Sequence, residues 1–323
     1  MYYMENNLYP IKFQTIYKPK IWGGESWVIS GVEGDVSVVA NGFLAGNSLD
    51  ELLEIYMGDL VGDAVYERFG NEFPLLIKFI EANDRLSVQV HPGDELAAER
   101  HNAFGKTEMW YVLDCKEGAE LVNGFNREIT KEQYLDALNT GKIMDILNFI
   151  KVKRGDVFFI PSGRVHAIGA GNYIAEIQQT SDVTYRIYDY DRRDSEGNAR
   201  ELHTDLAVDA IDYKHYDNYR TDYVADVNET VNVVDCEYFT TNVFELDMPV
   251  EKDFPEIDSF IIYMCTGGSV RIEYDDNHSS VTIKRGESVL VPAVIKNLCL
   301  YPDGKATLLE VYIKQPPTES EEE

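Results

Sequence analysis

The stretch KRGDVFFIPSGRVHAI, Lys153 to Ile168, is answered in outline by KRGESVLVPAVIKNLC, Lys284 to Cys299. Both open Lys-Arg-Gly-acid, run through four apolar or alternating residues and reach a proline, Pro161 and Pro292. Glycine permits a tight turn ahead of a strand, and proline suits a strand end, where its missing N–H breaks no ladder. Ahead of each copy lies an apolar strand closed by a glycine: EMWYVLDCKEG ending at Gly118 and SFIIYMCTGG ending at Gly268. Gly118 and Lys153 are 35 residues apart, Gly268 and Lys284 only 16. The surplus matches a helical insertion in the first copy, starting at Thr130, where TKEQ is a capping box, and running through YLDALNTGKIMDILNFI with a break at Gly141. One β unit present twice accounts for the pattern.

A strand, a glycine turn, a return strand and then R-G-D-x4-P-x4-H is the pattern of a small jelly-roll barrel of the cupin type. The expected fold is therefore mainly β, with two cupin-type jelly-roll barrels in tandem and short helical insertions. The expected division is a metal-binding domain over residues 1–234, with helical segments near 48–70 and 130–150, then a degenerate barrel over 235–315. Residues 316–323, within the apolar-poor run PPTESEEE, read as a disordered acidic tail. The segment near 48–70 consists of SLDELLEIYMG, with Leu49, Leu52, Leu53 and Tyr56 on one face, and DLVGDAVYERFG, from Asp59 to Gly70.

Composition narrows the function. The 323 residues include 29 Lys+Arg and 57 Asp+Glu, a formal charge of −28. That field repels nucleic acid and anionic lipid, so neither is an expected partner, and an anionic substrate needs a local cationic pocket. Cys115, Cys236, Cys265 and Cys299 are far apart and form no CxxC pair, which reads as reduced, buried thiols rather than a zinc ribbon or disulfide scaffold. The beginning, MYYMENNLYPIKF, lacks a basic stretch followed by an apolar one, and no apolar run is long enough to span a bilayer. A cytoplasmic protein is expected.

The candidate chemistry starts at LSVQVHP, Leu86 to Pro92. Strict alternation sends Leu86, Val88 and Val90 one way and Ser87, Gln89 and His91 the other, toward solvent or a polar cavity. Taken singly, His91 is an ordinary hydrogen-bonded histidine, and Glu108 a solvated strand end. His166, five residues after Pro161, changes that, since a barrel would bring Gln89, His91, Glu108 and His166 together at its mouth. Two imidazoles, a carboxylate and an amide oxygen suit a borderline divalent ion such as Zn²⁺. In the second copy the residue five beyond Pro292 is Asn297, so one metal site per chain is expected.

These residues resemble the type I mannose-6-phosphate isomerases (phosphomannose isomerases), in their short bacterial form. The likeness runs through KPKIWGG (18–24), FPLLIKFIEANDRLSVQVHP (73–92), GKTEMWYVL (105–113), GDVFFIPSGRVHAI (155–168) and EIQQTSDVTYRIYDYDR (176–192). The resemblance implies a Zn²⁺-dependent exchange of mannose 6-phosphate and fructose 6-phosphate through a cis-enediol. It puts the metal ligands at Gln89, His91, Glu108 and His166, with Gln89 the weakest member. The active-site arginine becomes Arg186, and Ser87, Lys106 and Glu176 line the substrate pocket. Arg186 would stabilise enediolate charge; Lys106 would serve the phosphate or the proton transfers; Glu176 would be the base or position it. Without the resemblance, Arg186 reads as a surface partner for Asp189 or Asp191. Lys78, Arg85, Lys106 and Arg186 form the cationic cluster a sugar phosphate requires. The longer family members' helical domain is reduced here to short insertions, and a monomer is compatible with the sequence. Two other readings share the ligand set: an Fe²⁺ cupin dioxygenase and a non-catalytic sugar-binding bicupin.

Overall fold

The computed structural model describes residues 7–314 apart from 195 and 276, so the acidic-tail expectation for 316–323 lies outside the described residues. The chain is mainly β. Its strands are β1 (Ile16–Lys20), β2 (Gly23–Ile29), β3 (Leu75–Ala82), β4 (Val88–Val90), β5 (Glu108–Cys115), β6 (Glu120–Phe125), β7 (Leu147–Lys151), β8 (Val157–Ile160), β9 (His166–Ile168), β10 (Asn172–Gln179) and β11 (Tyr185–Tyr188). They continue as β12 (Thr230–Asp235), β13 (Thr240–Leu246), β14 (Val250–Asp253), β15 (Ile261–Gly267), β16 (Ser269–Glu273), β17 (Ser280–Lys284), β18 (Ser288–Val291), β19 (Asn297–Pro302) and β20 (Ala306–Tyr312). The helices are α1 (Leu49–Val61), α2 (Asp63–Phe69), α3 (Asp94–His101), α4 (Lys131–Asn139) and α5 (Thr204–Ala210). No helix among the described residues is long and apolar enough to cross a membrane.

The described residues form two compact units, one within 17–27 and 75–221, the other within 7–16, 28–74 and 222–314. Compactness thus groups 28–74, which the sequence reading placed in an N-terminal domain over 1–234, with the C-terminal strands. The reason is local: Ala293 N–H donates to Leu60 O and Phe260 N–H to Val61 O, tying the end of α1 to strands of the same unit. The Asp258 carboxylate accepts from the first N–H groups of α2, those of Asp63 and Ala64, at 2.9 Å each.

Each unit is a double-sheet sandwich. In the first, the order β1-β2-β3-β10-β5-β8 faces β11-β4-β9-β6-β7; in the second, β12-β13-β20-β15-β18 accompanies β14-β19-β16-β17. The run β3-β10-β5-β8 is matched by β13-β20-β15-β18, and β4-β9-β6-β7 by β14-β19-β16-β17, so the repeated sequence is a repeated topology. Gly118 and Gly268 sit at the equivalent turns with φ of 78° and 74°, a left-handed conformation a side chain would strain. The first unit's inter-sheet core includes Ile80, Trp110, Val112, Leu121, Phe158, Ile160 and Ile168. Phe244, Tyr263, Val270, Ile272, Val291, Leu300 and Leu308 belong to the second unit's core.

Three local expectations change. The insertion at Thr130 has its capping box, Gln133 N–H donating to Thr130 Oγ1, but the helix ends at Asn139. A single 3-10 turn, Ile143–Ile146, follows, and Leu147–Lys151 is strand β7, because its backbone completes the ladder of β6. Second, α1 runs on past Gly58 to Val61 with a kink at Met57, and the break falls at Gly62. Third, Leu86 precedes β4 and packs between the sheets, whereas Val88 and Val90 face the opposite side with Val122, Tyr185 and Ile187.

Candidate metal centre

β4 and β9 are short antiparallel neighbours with Gln89 directly opposite His166, and β5 begins at Glu108. Alternation turns Gln89, Glu108 and His166 toward the space between the sheets. His91, one residue beyond β4, joins them. His91 and His166 are each 1% exposed and Glu108 is 0%, and one donor atom from each lies within 4.8 Å of the other two.

Backbone carbonyls aim both rings. His91 Nδ1 bonds Val183 O at 2.9 Å and His166 Nδ1 bonds Arg164 O at 2.8 Å. An N–H at Nδ1 leaves each Nε2 with a free lone pair, and these nitrogens stand 3.4 Å from the Glu108 oxygens, His91 from Oε2 and His166 from Oε1. Burial foremost, with the Lys106 charge, lowers the pKa of both imidazoles, holding them in the neutral form that ligates metal. Glu108 Oε1 is buried and has no hydrogen-bond partner among the described residues, an orphan that a cation would satisfy. Gln89 Nε2 lies 3.3 Å from His166 Nε2; an amide turned over would present its oxygen there instead. The donor set and the orphaned oxygen fit a divalent ion.

Lys106 is 4% exposed, and its ammonium donates to Glu108 Oε2 and lies 3.1 Å from His91 Nε2. Ser87, on the face of Gln89, donates to the Gln89 Oε1 at 3.5 Å. Arg186 in β11 is directly across from Gln89, so the two side chains share a face. Its Nη1 donates to Glu201 O at 2.8 Å, and its Nε has no partner among the described residues. Burial first, then the charge of Arg200, lowers its pKa. The surface role for Arg186 beside Asp189 is filled by another residue, since Arg200 takes both Asp189 oxygens, Nε at 2.8 Å and Nη2 at 2.5 Å.

Glu176 is 3% exposed and doubly bonded: Oε1 accepts from Lys78 Nζ at 2.9 Å and Oε2 from Trp110 Nε1 at 2.9 Å. Burial raises its carboxyl, but the Lys78 and Lys106 charges and these two hydrogen bonds outweigh that and leave it well below the usual carboxylate range. Of the four-residue cationic cluster, only Lys106 and Arg186 stand at the candidate ligands. Lys78 is held by Glu176, and Arg85 lies over the Tyr190 ring at 3.9 Å. The sequence reading passed over Trp110, whose ring meets His166 edge-on at 5.3 Å. It also gave Lys78 to the substrate; a lysine inside the apolar run LLIKFIEA was the signal that it has a buried acidic partner.

Among the described residues, the second unit carries no such set. Asn297 opens β19 but is exposed; the inward residue is Leu298, opposite Lys252.

Comparison with known proteins bears on the family. Residues 12–138 match the family described as phosphomannose isomerase type I, catalytic domain, and residues 228–313 match mannose-6-phosphate isomerase, cupin domain. The chain is 38% identical to the mannose-6-phosphate isomerase ManA of Bacillus subtilis, over 73% of this chain and 79% of that one. It is 34% identical to the mannose-6-phosphate isomerase of Streptococcus mutans, over 89% and 94%. The crystal structure of the mannose 6-phosphate isomerase from Bacillus subtilis superposes with a TM-score of 0.84 at 33% identity, covering 95% of this chain and all of that one.

Proposed function

The chain belongs to the type I phosphomannose isomerases, and from that premise we propose that it interconverts mannose 6-phosphate and fructose 6-phosphate with one zinc ion, through a cis-enediol. The observation that carries the reading is the convergence of His91, Glu108 and His166 donor atoms within 4.8 Å, with Arg186 across from Gln89. His91, Glu108 and His166 would hold the ion, with Gln89 as a fourth, weaker ligand. Bound there, a divalent ion supplies Lewis acidity toward the sugar's carbonyl and hydroxyl oxygens.

The reaction takes a proton from carbon 2 of the aldose and returns one to carbon 1, while a hydroxyl proton passes from oxygen 2 to oxygen 1. Lys106, in direct contact with His91 and Glu108, is assigned these transfers: as the neutral amine it takes the carbon-2 proton, and as the ammonium so formed it returns a proton to carbon 1. Arg186 stabilises the negative charge that develops on the enediolate, through guanidinium N–H groups left over from Glu201. The Ser87 hydroxyl is assigned to a sugar hydroxyl. Glu176 is buried and bonded to Lys78 and Trp110. All these residues come from one unit of one chain, so a monomer suffices. A phosphorylated sugar does not cross a bilayer unaided, which supports a cytoplasmic reading for an enzyme that works on it.

The test is conversion of mannose 6-phosphate in a coupled assay. Turnover that disappears with a chelator and returns with zinc is the expected result. A zinc-loaded chain that binds the sugar phosphate but does not convert it would overturn the reading, and oxygen uptake with Fe²⁺ would favour the dioxygenase instead.

A further inference from the structure

The buried carboxylate at Glu176 is present twice. In β10, Glu176 stands directly across from Lys78 of β3 and Trp110 of β5. In β20, the topological counterpart of β10, Glu310 stands directly across from Asn242 of β13 and Tyr263 of β15. Both glutamates are 3% exposed. Glu310 repeats the bonding of Glu176 with other donors: Oε1 accepts from Asn242 Nδ2 at 3.1 Å, and Oε2 from Tyr263 Oη at 2.8 Å and Lys252 Nζ at 2.9 Å. In each unit a carboxylate in the middle strand thus ties down an aromatic polar tip on one side and a nitrogen donor on the other.

The metal ligands do not repeat. Glu108 pairs with Ile160, the residue before Pro161, and the position that pairs with Val291, the residue before Pro292, is Ile261. Leu298 faces inward from β19, and His278, in the turn between β16 and β17, is exposed. Proton transfer has no use for a carboxylate in a unit without ligands. Desolvating a carboxylate costs several kcal/mol, so one kept in both units has a duty common to both.

We propose that Glu176 is a positioning residue rather than a carrier of the reaction's proton: it pins Trp110, whose ring edge packs against His166, and so holds that ligand in place. The chain of contact is short, from Glu176 Oε2 to Trp110 Nε1 at 2.9 Å and from the indole to the His166 ring at 5.3 Å and 77°. The activity arm of the test rests on the isomerase reading; the metal arm does not.

The experiment compares Glu176→Gln, Trp110→Phe, the double variant Lys78→Gln/Glu176→Gln and Glu310→Gln. Zinc affinity is read by competition with a chromophoric chelator, turnover at saturating zinc and folding by thermal melting. Glu176→Gln and Trp110→Phe should each weaken zinc binding about tenfold or more, as loss of a group orienting a ligand does, while turnover at saturating zinc stays within about tenfold of the parent. The double variant should regain zinc affinity over Glu176→Gln, because no ammonium is then left buried without its partner. Glu310→Gln should lower the melting temperature and leave zinc affinity unchanged. Trp110→Phe keeps the Lys78–Glu176 pair, so it decides the matter should Glu176→Gln fail to fold. Unchanged zinc affinity in Trp110→Phe would overturn the proposal. So would Glu176→Gln with normal zinc affinity and a turnover loss of about a thousandfold that the double variant does not restore. Equal loss of zinc affinity in Glu310→Gln would overturn it too, as a global effect. A wild-type chain without isomerase activity would sink the proposed function while leaving the affinity comparison decisive.

Discussion

Arg186 offers the sharpest test of the catalytic reading. One guanidinium nitrogen is engaged by Glu201 O at 2.8 Å, and Nε has no partner among the described residues, so at least two N–H groups remain for an anionic oxygen on the face shared with Gln89. A hydrogen bond to a charged group contributes about 1.5–3 kcal/mol. At about 1.4 kcal/mol per tenfold, losing one costs about 10- to 150-fold in rate, and losing two costs about 10²- to 10⁴-fold. Arg186→Lys keeps the charge and one donor direction but not the planar fork, so it should fall in the first range; Arg186→Ala should fall in the second. The measurement is kcat/KM for mannose 6-phosphate in the coupled assay, with zinc content and melting temperature followed in parallel. Arg186 is not a candidate ligand, and zinc binding should hold in both variants. An Arg186→Ala enzyme with full zinc and kcat/KM within about threefold of the parent would refute the role. So would a rate loss that merely tracks lost zinc.

Three further outcomes are expected. Removing zinc with a chelator should lower the melting temperature along with activity, since zinc at about a thousand times its Kd stabilises the fold by about 4 kcal/mol; a melt indifferent to zinc would contradict the buried ligand set. Tyr134 is fully buried with its hydroxyl unpartnered among the described residues, so Tyr134→Phe should be neutral or stabilise by about 1 kcal/mol in denaturant titration, and a clear loss would reveal a missing partner. Burial pushes the Cys265 thiol up to about 12, which keeps the thiolate scarce at pH 8, so Cys265 should resist a maleimide until the chain is unfolded; labelling in the native state would refute its burial.

Much of this protein was legible in its sequence because the relevant signals are local or repeat. Period-two alternation put Gln89 on one face with Ser87 and His91, and the paired Lys-Arg-Gly-acid runs announced two copies of one strand order, β8 and β18 occupying the same edge of their sheets. The candidate ligands could be named because each lies at a fixed offset from a strand signal. Other features depend on pairing between distant segments, which no local pattern records. Leu147–Lys151 carries apolar residues that serve a helix or a strand equally well, and the open edge of β6 made the choice. Residues 28–74 joined the C-terminal unit through carbonyls such as Leu60 O and Val61 O, which accept from Ala293 and Phe260, far along the chain. The same holds for charge: Lys78 and Arg186 look alike in the sequence as cations within conspicuous motifs. Strand register put Lys78 across from a glutamate, which holds its ammonium, and Arg186 across from an amide, with its Nε left without a partner among the described residues.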